Sequence, residues 1–379
     1  MSDRPPIVVA GHICLDVIPQ LGGAVPGPGA LSEVGAASLS TGGAVSNVGL
    51  ALRHLGRTVR LIGAVGDDGF AAIVRQRLAA VGDGLDRDLV VRSDGPTSYS
   101  VVLSPPGIDR AFMHCPGVNH LFTPGEVADD ALSGAAALHF GYPPLMRSVY
   151  RDAGAGLADL FGRARGHGLI TSLDLAMPDP GGEAGGVDWP AWLRRVLPGI
   201  DVFLPSLDET RAVLGLPPRP ADDESDLADL AERCLSWGAR CVVLKLGDRG
   251  LYLRSAAGFA PASADQPSAW SDRELLVRCL EVEVAGTTGS GDCTIAGFLD
   301  AFEAGRSPLD CLAWATAVGA SSVESPDATS GVPSAASLER RLAEGWPRHR
   351  GPAPEEAGWR PHLDHAGVFR GPRDAPSAN

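Results

Sequence analysis

Short apolar runs alternate with longer amphipathic segments along most of this chain. The runs are predicted to be strands at 7–10, 59–64, 136–140, 169–173, 202–204, 241–246 and 282–284. Several are apolar throughout, which is expected of strands that are covered on both faces. Between them, apolar residues recur at the spacing of one helix face, as at Val45, Val48, Leu52 and Leu55. The alternation predicts an α/β fold in which helices cover a mainly parallel sheet.

Two stretches interrupt this alternation, at 15–39 and at 94–119. Both are rich in turn residues and contain short extended runs, so they are predicted to be hairpin-like pieces rather than strand–helix units. They indicate a small separate sheet attached to a domain that spans 1–344. From 345 to 379 Gly and Pro are frequent and no apolar period survives, which predicts an irregular tail.

The charge balance excludes several classes of partner. The chain carries 32 basic and 46 acidic side chains, for a formal charge of −14, and its arginines are scattered. We therefore expect neither nucleic acid nor a membrane surface as a partner, because both need a basic stripe. No apolar run approaches about 18 residues, and the first residues lack the apolar core of a secretion signal. Seven cysteines without a C-x-x-C pair are typical of reduced thiols, which predicts a cytoplasmic protein.

A single lysine, Lys245, narrows the phosphate chemistry available to this chain. A P-loop ends its G-x-x-x-x-G-K-[ST] motif on a lysine, and no such loop precedes Lys245. The run that ends at Lys245 is loosely similar to the Val-Ala-Ile-Lys of protein kinases, but neither His-Arg-Asp nor Asp-Phe-Gly follows it. The lysine count therefore excludes a P-loop and most mechanisms that depend on a lysine.

The most informative segment is a glycine-rich stretch between the predicted strand that ends near Val284 and a helix that begins near Asp292. It reads Gly286-Thr287-Thr288-Gly289-Ser290-Gly291-Asp292. Gly289 and Gly291 lack a Cβ atom, which lets the backbone approach a ligand closely. The first amides of the following helix are unpaired and lie at the positive end of its dipole. An anion such as a phosphate, or the charge on a phosphoryl group in transfer, fits there.

Asp292 has two interpretations at the start of this helix. It is an N-cap in the simpler one, since Asp is a common cap. In the other, its carboxylate accepts the proton of a substrate hydroxyl that attacks a γ-phosphate held by the neighbouring amides. The sequence alone leaves both open.

Two segments near the N-terminus supply further candidate contacts. Gly42 and Gly43 precede a predicted helix, and Asn47 follows Gly43 by four residues, which places backbone amides and a side-chain amide together for a polyhydroxylated ligand. Asp16 follows the first strand, at the edge where open α/β sheets bind ligands. The simpler alternatives are a plain helix-initiating turn with a solvated Asn47 and an ordinary turn residue at Asp16.

In their order and spacing, these three segments resemble the PfkB (ribokinase-like) family of carbohydrate and nucleoside kinases. The resemblance runs from about Ile7 to Leu338. The family's N-terminal signature is similar to Gly42-Gly43-x-x-x-Asn47, Leu52-x-x-Leu55-Gly56 and the stretch at 63–69. Its C-terminal signature is similar to 287–292 with Gly297 beyond. The resemblance implies a ribokinase-like three-layer αβα sandwich, Rossmann-like and with a mainly parallel sheet, that carries a small β-sheet lid.

The resemblance also implies an ATP-dependent kinase that uses Mg²⁺ and phosphorylates a hydroxyl of a sugar or sugar derivative. The implied catalytic residues are the base Asp292 and an anion hole formed by Gly289, Ser290 and Gly291. The implied substrate residues are Asp16, Gly42, Gly43 and Asn47. The implied nucleotide residues are Lys245, Gly247, Thr287 and Thr288, with Glu209 for Mg²⁺. Because many family members dimerise through the lid, a homodimer is a further expectation.

Three positions depart from the family pattern. Gly286 stands where family members commonly have an Asp that helps bind a monovalent cation, so a K⁺ requirement is left open. Ser206 replaces the Asn of the family's Asn-x-x-Glu motif, whereas Glu209 keeps the acidic end. The segment 172–180 lacks the Asn and Arg that many sugar kinases place after the matching strand. Lys245 is either a charge near the ATP phosphate or ribose, or an ordinary residue at a strand end.

Two other functions remain as alternatives to a sugar kinase. A nucleoside kinase of the same fold needs an apolar, partly aromatic pocket, and aromatic residues make up only 6% of the chain. A sugar-binding sensor without catalysis would retain the sugar site, and the changes at Gly286 and Ser206 keep this alternative open. A dinucleotide-binding dehydrogenase is poorly supported, because no Gly-x-Gly-x-x-Gly follows the first strand.

Overall fold

The structure, a computed structural model, describes residues 4–23, 25–105, 111–218, 225–349, 358–362 and 367–375. Its strands are β1 (Ile7–Gly11), β2 (Cys14–Pro19), β3 (Ala37–Gly42), β4 (Val59–Ile62), β5 (Ala64–Gly66), β6 (Val90–Arg92), β7 (Tyr99–Leu103), β8 (Ala111–Cys115), β9 (Ala137–Gly141), β10 (Ile170–Leu173), β11 (Val202–Phe203), β12 (Cys241–Lys245), β13 (Leu251–Ser255), β14 (Glu274–Val277), β15 (Arg360–Pro361) and β16 (Val368–Arg370). Its α-helices are α1 (Ala44–His54), α2 (Gly69–Val81), α3 (Asp129–Leu132), α4 (Arg147–Tyr150), α5 (Ala155–Gly166), α6 (Trp189–Val196), α7 (Leu207–Val213), α8 (Leu227–Ser236), α9 (Ser290–Glu303), α10 (Pro308–Ser322) and α11 (Ala335–Ala343).

A large sheet with helices on both faces forms the body of the molecule. Its strand order is β15-β16-β14-β13-β12-β11-β10-β9-β1-β4, and the strands from β12 to β4 run parallel. Along β1, Ile7 and Val9 pack into the core beneath α1, α9 and α10, whereas Val8 and Ala10 pack into the core beneath α5, α6 and α8. Strand β1 is buried along its whole length and its side chains alternate between the two cores, as expected of a strand that is covered on both faces. The predicted three-layer α/β class is confirmed.

A second, four-stranded sheet stands apart from the large one, in the order β3-β2-β7-β8. Only two residues separate the end of β1 from the start of β2, so the small sheet continues directly from the carboxyl edge of the large one. The buried side chain of Asn119 holds this junction, because its Nδ2 donates to the carbonyl of Ile13 (2.8 Å) and its Oδ1 accepts from the amide of Ile13 (3.4 Å). The predicted small separate sheet is confirmed.

Two strand predictions need correction. The run at 59–64 is divided at Gly63 into β4, which joins the large sheet, and β5, which pairs with β6. The run at 282–284 is not a strand, and the chain leaves the large sheet after β14 instead. The apolar pattern of 282–284 misleads because its backbone has no sheet neighbour, and Val284 is exposed.

The C-terminal segment is more ordered than its composition predicts. Residues 346–349 run alongside 279–281, with hydrogen bonds from the amide of Glu281 to Pro347 O and from the amide of His349 to Cys279 O, both 2.8 Å. Further on, β16 pairs antiparallel with β14. The buried carboxylate of Asp374 binds Arg273 at 2.8 Å. The expectation of an irregular tail is therefore wrong for these described parts.

Two further findings concern the sequence expectations. None of the helices in the described ranges is long and apolar enough to cross a membrane. All seven cysteines are free thiols, as the absence of paired motifs predicts.

Candidate active site

The glycine-rich segment leads into α9 through a left-handed residue. Gly289 is the N-cap with φ of 72°, and a Cβ atom there would lie 2.6 Å from Ala328 Cβ, so both the backbone angle and the space favour glycine. The first helical hydrogen bond runs from the amide of Cys293 to Gly289 O (2.9 Å). The amides of Gly291 and Asp292 therefore precede the hydrogen-bonded ladder and lie at the positive end of a 14-residue helix.

Asp292 does not cap this helix, so its simpler interpretation is wrong. Its carboxylate is buried (2% exposed) and points to other elements: Oδ2 accepts from Asn47 Nδ2 at 2.9 Å, and the phenol of Tyr142 donates to both oxygens at 2.9 and 2.8 Å. Burial raises the pKa of Asp292, whereas the Lys245 ammonium and these hydrogen bonds oppose the rise. A buried carboxylate with a raised pKa is suited to accept a proton.

Lys245 lies beside this carboxylate as one half of a buried ion pair. Its Nζ binds Asp174 Oδ1 at 2.8 Å, and the two side chains are 11% and 1% exposed. Burial lowers the pKa of Lys245, but the carboxylates of Asp174 and Glu209 outweigh burial and leave it raised, so the side chain is an ammonium ion. A Cβ atom at Gly291 would lie 3.6 Å from this Nζ, which places the charge at the start of α9.

Glu209 is placed near the same ion pair by the start of α7. Its Oε2 accepts from the amide of Ser206 (2.7 Å), and Ser206 Oγ accepts from the amide of Glu209 (3.1 Å), which forms a capping box. The serine that departs from the family motif therefore holds the glutamate in place, and the half-buried carboxylate adds negative charge beside Lys245.

The candidate substrate residues from the N-terminal half converge at the end of β1. Gly42 lies so close to Asp16 that a Cβ atom would approach its carboxylate to 2.3 Å, and a Cβ atom on Gly43, whose φ is 85°, would meet His12 Nδ1 at 2.5 Å. Asp16 is buried and accepts from Cys14 Sγ at 3.4 Å. These contacts explain why glycines stand at both positions, since any side chain would fill the space beside Asp16 and His12.

Several buried polar atoms around this point have no hydrogen-bond partner among the described residues. They are His12 Nδ1, Asn47 Oδ1, His139 Nε2 and Asp174 Oδ2. Burial lowers the pKa of His139 to about 3, so that imidazole is neutral. Because buried polar groups are normally paired, these orphaned atoms indicate a site for a polar ligand.

His114 reaches this region from β8 of the small sheet. Its Nε2 lies 3.2 Å from His12 Nε2, and its Nδ1 lies 3.0 Å from Ser100 Oγ. Burial lowers the pKa of His114 to about 4. The small sheet therefore contributes neutral imidazole to the edge of the candidate substrate site.

A cavity of about 240 Å³ extends on the other side of α9. One end is formed by Lys245, Thr287, Ser290 and Gly291, and Gly247 lies on its wall. The remaining lining is mostly apolar and consists of Leu251, Cys279, Leu280, Val282, Val284, Gly250, Gly319, Ala320 and Val323, with the polar residues Asp248, Thr294, Thr316 and His349. The lining thus combines the Lys245 ammonium and the start of α9 with many apolar side chains, a combination that suits the phosphates and the base of a nucleotide. Thr288, also predicted here, is half-buried beside Gly289 and is not among the lining residues.

Three residues of this site escape sequence reasoning. Tyr142 and Asp174 each follow a predicted parallel strand, and the edge rule for α/β sheets was the available signal for both. His349 carries no local signal, because it reaches the cavity only through the pairing of 346–349 with 279–281.

A known protein family matches most of this chain. The model of the family described as pfkB family carbohydrate kinase matches residues 5–335. The chain belongs to this family. The enzyme class predicted from the motifs, an ATP-dependent carbohydrate kinase, is confirmed.

Two curated relatives align with this chain over most of their length. An uncharacterised sugar kinase of Archaeoglobus fulgidus is 25% identical over 287 residues, covering 75% of this chain and 98% of the relative. A 2-dehydro-3-deoxygluconokinase of Bacillus subtilis is 25% identical over 330 residues, covering 83% and 90%.

Solved structures show the same fold at lower identity. The ribokinase of Arabidopsis thaliana, solved with ribose and ATP, has a TM-score of 0.70 and 18% identity, covering 89% of this chain and 99% of its own. A nucleoside kinase of Methanocaldococcus jannaschii has a TM-score of 0.66 and 18% identity, covering 90% and 100%. The ribokinase-like fold is therefore shown.

Proposed function

We propose that this kinase transfers the γ-phosphoryl group of ATP to a hydroxyl of a sugar or sugar derivative, with Asp292 as the general base. The observation that carries the proposal is the position of the buried Asp292 carboxylate between a group of polar atoms and the cavity. On one side lie Asn47 and the orphaned polar atoms. Next to Asp292 in the chain, Gly291 lines the cavity together with Lys245, whose charge acts on Asp292. A base at this position would contact the acceptor hydroxyl and face the γ-phosphate of ATP.

The transfer is a single displacement. The acceptor hydroxyl oxygen forms a bond to the γ-phosphorus, the bond from that phosphorus to the bridging oxygen of ADP breaks, and the hydroxyl proton goes to the Asp292 carboxylate. The amides of Gly289 and Gly291 and the Lys245 ammonium would face the negative charge of the phosphoryl group, where fixed dipoles cost no reorganisation. The amide of Ser290, the third residue of the proposed anion hole, donates to Thr287 O at 3.3 Å in this structure. Asp16, Gly42, Gly43 and Asn47 would orient the acceptor, while Gly247, Thr287 and Thr288 would border the nucleotide.

Magnesium fits this arrangement as an ion carried by the phosphates. No group of three or more His, Cys, Asp or Glu side chains in the described ranges is placed to hold a metal by itself. Mg²⁺ in kinases is usually bound by one or two carboxylates together with substrate phosphates. Glu209 would supply the carboxylate, and the ion would neutralise charge on the transferred group.

The substrate class is tested by an ATP-consumption screen over sugars, sugar acids, sugar phosphates and nucleosides, with and without K⁺. We expect turnover with at least one sugar derivative and none, or far less, with nucleosides. Proteins similar to this chain include a 2-dehydro-3-deoxygluconokinase, an ATP-dependent ribose-1-phosphate kinase and a fructokinase, so the acceptors in these names head the panel. Turnover with nucleosides alone would favour the nucleoside kinase alternative. Binding of sugars without transfer from ATP would favour the sensor.

His349 gives a prediction about the nucleotide side. Replacing it by Ala should weaken ATP binding by about two- to twelvefold, because a ring packed against a nucleotide base contributes roughly 0.5–1.5 kcal/mol. Calorimetric titration with ATP measures the effect, and His349→Phe should retain most of the affinity. His167→Ala, at an exposed position after α5, is the matched control. Unchanged ATP affinity in His349→Ala would contradict a contact between the C-terminal segment and the nucleotide.

A further inference from the structure

Tyr142 follows β9 and holds an unusual backbone conformation for a large side chain. Its φ is 65° and its ψ is 43°, in the left-handed region that non-glycine residues rarely adopt. Gly141 precedes it and Pro143 follows it, so proline fixes the next residue at the start of a short 3₁₀ turn. Such conformations persist only where the surroundings determine them, and here the phenol is bound to Asp292.

The hydrogen bonds of Tyr142 fix both the direction and the charge state of that carboxylate. A phenol that donates to both oxygens, at 2.9 and 2.8 Å, lies near the bisector of the carboxylate, and Asn47 adds a donor to Oδ2. Burial and the charge of Asp292 hold the pKa of Tyr142 well above its usual range, so the phenol keeps its proton and remains the donor. The carboxylate retains lone pairs for one more donor, which is what an acceptor hydroxyl provides.

We propose that Tyr142 is a positioning residue for the general base: its phenol orients the Asp292 carboxylate toward the acceptor and favours the ionised form that takes the proton. This proposal rests on the proposed function of Asp292. The residue acts through Asp292 rather than on the reacting atoms. It assigns a role in the candidate active site to Tyr142, a side chain that no sequence motif marks.

The charged and titratable groups around Asp292 determine the sign of the expected effect. The Lys245 ammonium from β12 favours its ionised form, whereas burial opposes it. Asp174 after β10 and Glu209 on α7 pair their charge mainly with Lys245, and Cys14 on β2 is held as a neutral thiol because burial raises its pKa. With Lys245 in place, loss of the phenol removes a bond that lowers the pKa of Asp292, so the pKa must rise further.

The test is Tyr142→Phe, which removes the hydroxyl and keeps the ring. We expect kcat to fall by about tenfold, since a hydrogen bond to a charged group is worth roughly 1.5 kcal/mol or more. The acid limb of the kcat profile should move to higher pH, while the KM for ATP stays unchanged. Tyr252→Phe is the matched control, because Tyr252 also donates to a buried carboxylate, Glu274, at 2.9 Å, and lies away from the site.

A second readout does not depend on turnover. Carbon-13 NMR of carboxyl-labelled protein follows the titration of Asp292 directly, with Asp292→Asn identifying its signal. An upward move of the midpoint in Tyr142→Phe, and none in Tyr252→Phe, supports the proposal even if the acceptor is misidentified. An unchanged or lower midpoint overturns it. Failure of the wild-type protein to transfer phosphate to any acceptor would instead count against the proposed function.

Discussion

Asp292→Asn should lower kcat by about 10²–10⁴-fold, the range expected when a general base is lost. Asparagine has nearly the same shape but cannot take the proton of the acceptor hydroxyl, so binding should be affected far less than turnover. We expect the KM for ATP to stay within about twofold, because the cavity walls and the Lys245 charge are unchanged. Steady-state kinetics with saturating acceptor measures the effect.

The same substitution has a predictable effect on stability. Burial raises the pKa of Asp292 above that of an unfolded Asp, so ionisation costs folding free energy, and the cost appears as the pH rises through the folded pKa. Asn carries no charge, and at neutral pH the variant should unfold at the same temperature as the wild type or higher. Such a trade between activity and stability is common at active sites. Loss of activity together with a lower melting temperature would point to misfolding instead.

Asp310→Asn is the matched control for this variant. Asp310 occupies the same third position of the next helix, α10, where it is exposed and accepts from Ser307 Oγ at 2.7 Å. It therefore has the same relation to its helix dipole and no contact with the candidate site. Its replacement should leave kcat within about twofold. This result would distinguish the loss of a general base in Asp292→Asn from the loss of an acidic residue that only stabilises the start of its helix.

Lys245→Met should destabilise the fold by about 3–5 kcal/mol, because it leaves the Asp174 carboxylate buried and unpaired. It should also weaken ATP binding, since the ammonium lies at the end of the cavity that adjoins Gly291. Urea denaturation measures the first effect, and calorimetric titration with ATP measures the second in whatever fraction remains folded.

The double variant Lys245→Met with Asp174→Asn separates the two roles of this lysine. Replacing both partners removes the stranded charge, so most of the lost stability should return. ATP binding should stay weak if the ammonium contacts the phosphates. A double variant that binds ATP as tightly as the wild type would show that Lys245 serves the ion pair alone.

The two halves of the site differ in how far the sequence predicts them. Asp292, Gly289 and Asn47 stand in short motifs whose spacing follows from a glycine turn and the first turn of a helix. What those residues bind depends on pairings that are distant in sequence. Asn47 and Asp292 are 245 residues apart, and their hydrogen bond forms only because α1 packs beside α9. No local pattern records that contact.

The same physical limit explains the errors. Periodicity reports which face of a segment is apolar, but it does not report the backbone partner, so 282–284 is predicted as a strand although its neighbours pair with the C-terminal segment. The tail is rich in Gly and Pro and reads as irregular, yet β16 only has to extend the edge of an existing sheet. Tyr142 is hidden for a related reason, because a tyrosine before two prolines carries no signature of its role.

One measurement tests the central claim most directly: mass spectrometry of the acceptor after a single turnover with excess enzyme, ATP and Mg²⁺. The acceptor should gain one phosphoryl group in step with the formation of ADP in the wild-type protein. In Asp292→Asn both should slow together by about 10²–10⁴-fold, while ATP binding is preserved. If ATP is consumed without a phosphorylated acceptor, or if Asp292→Asn transfers phosphate at the wild-type rate, the assignment of Asp292 as the base of a sugar kinase is contradicted.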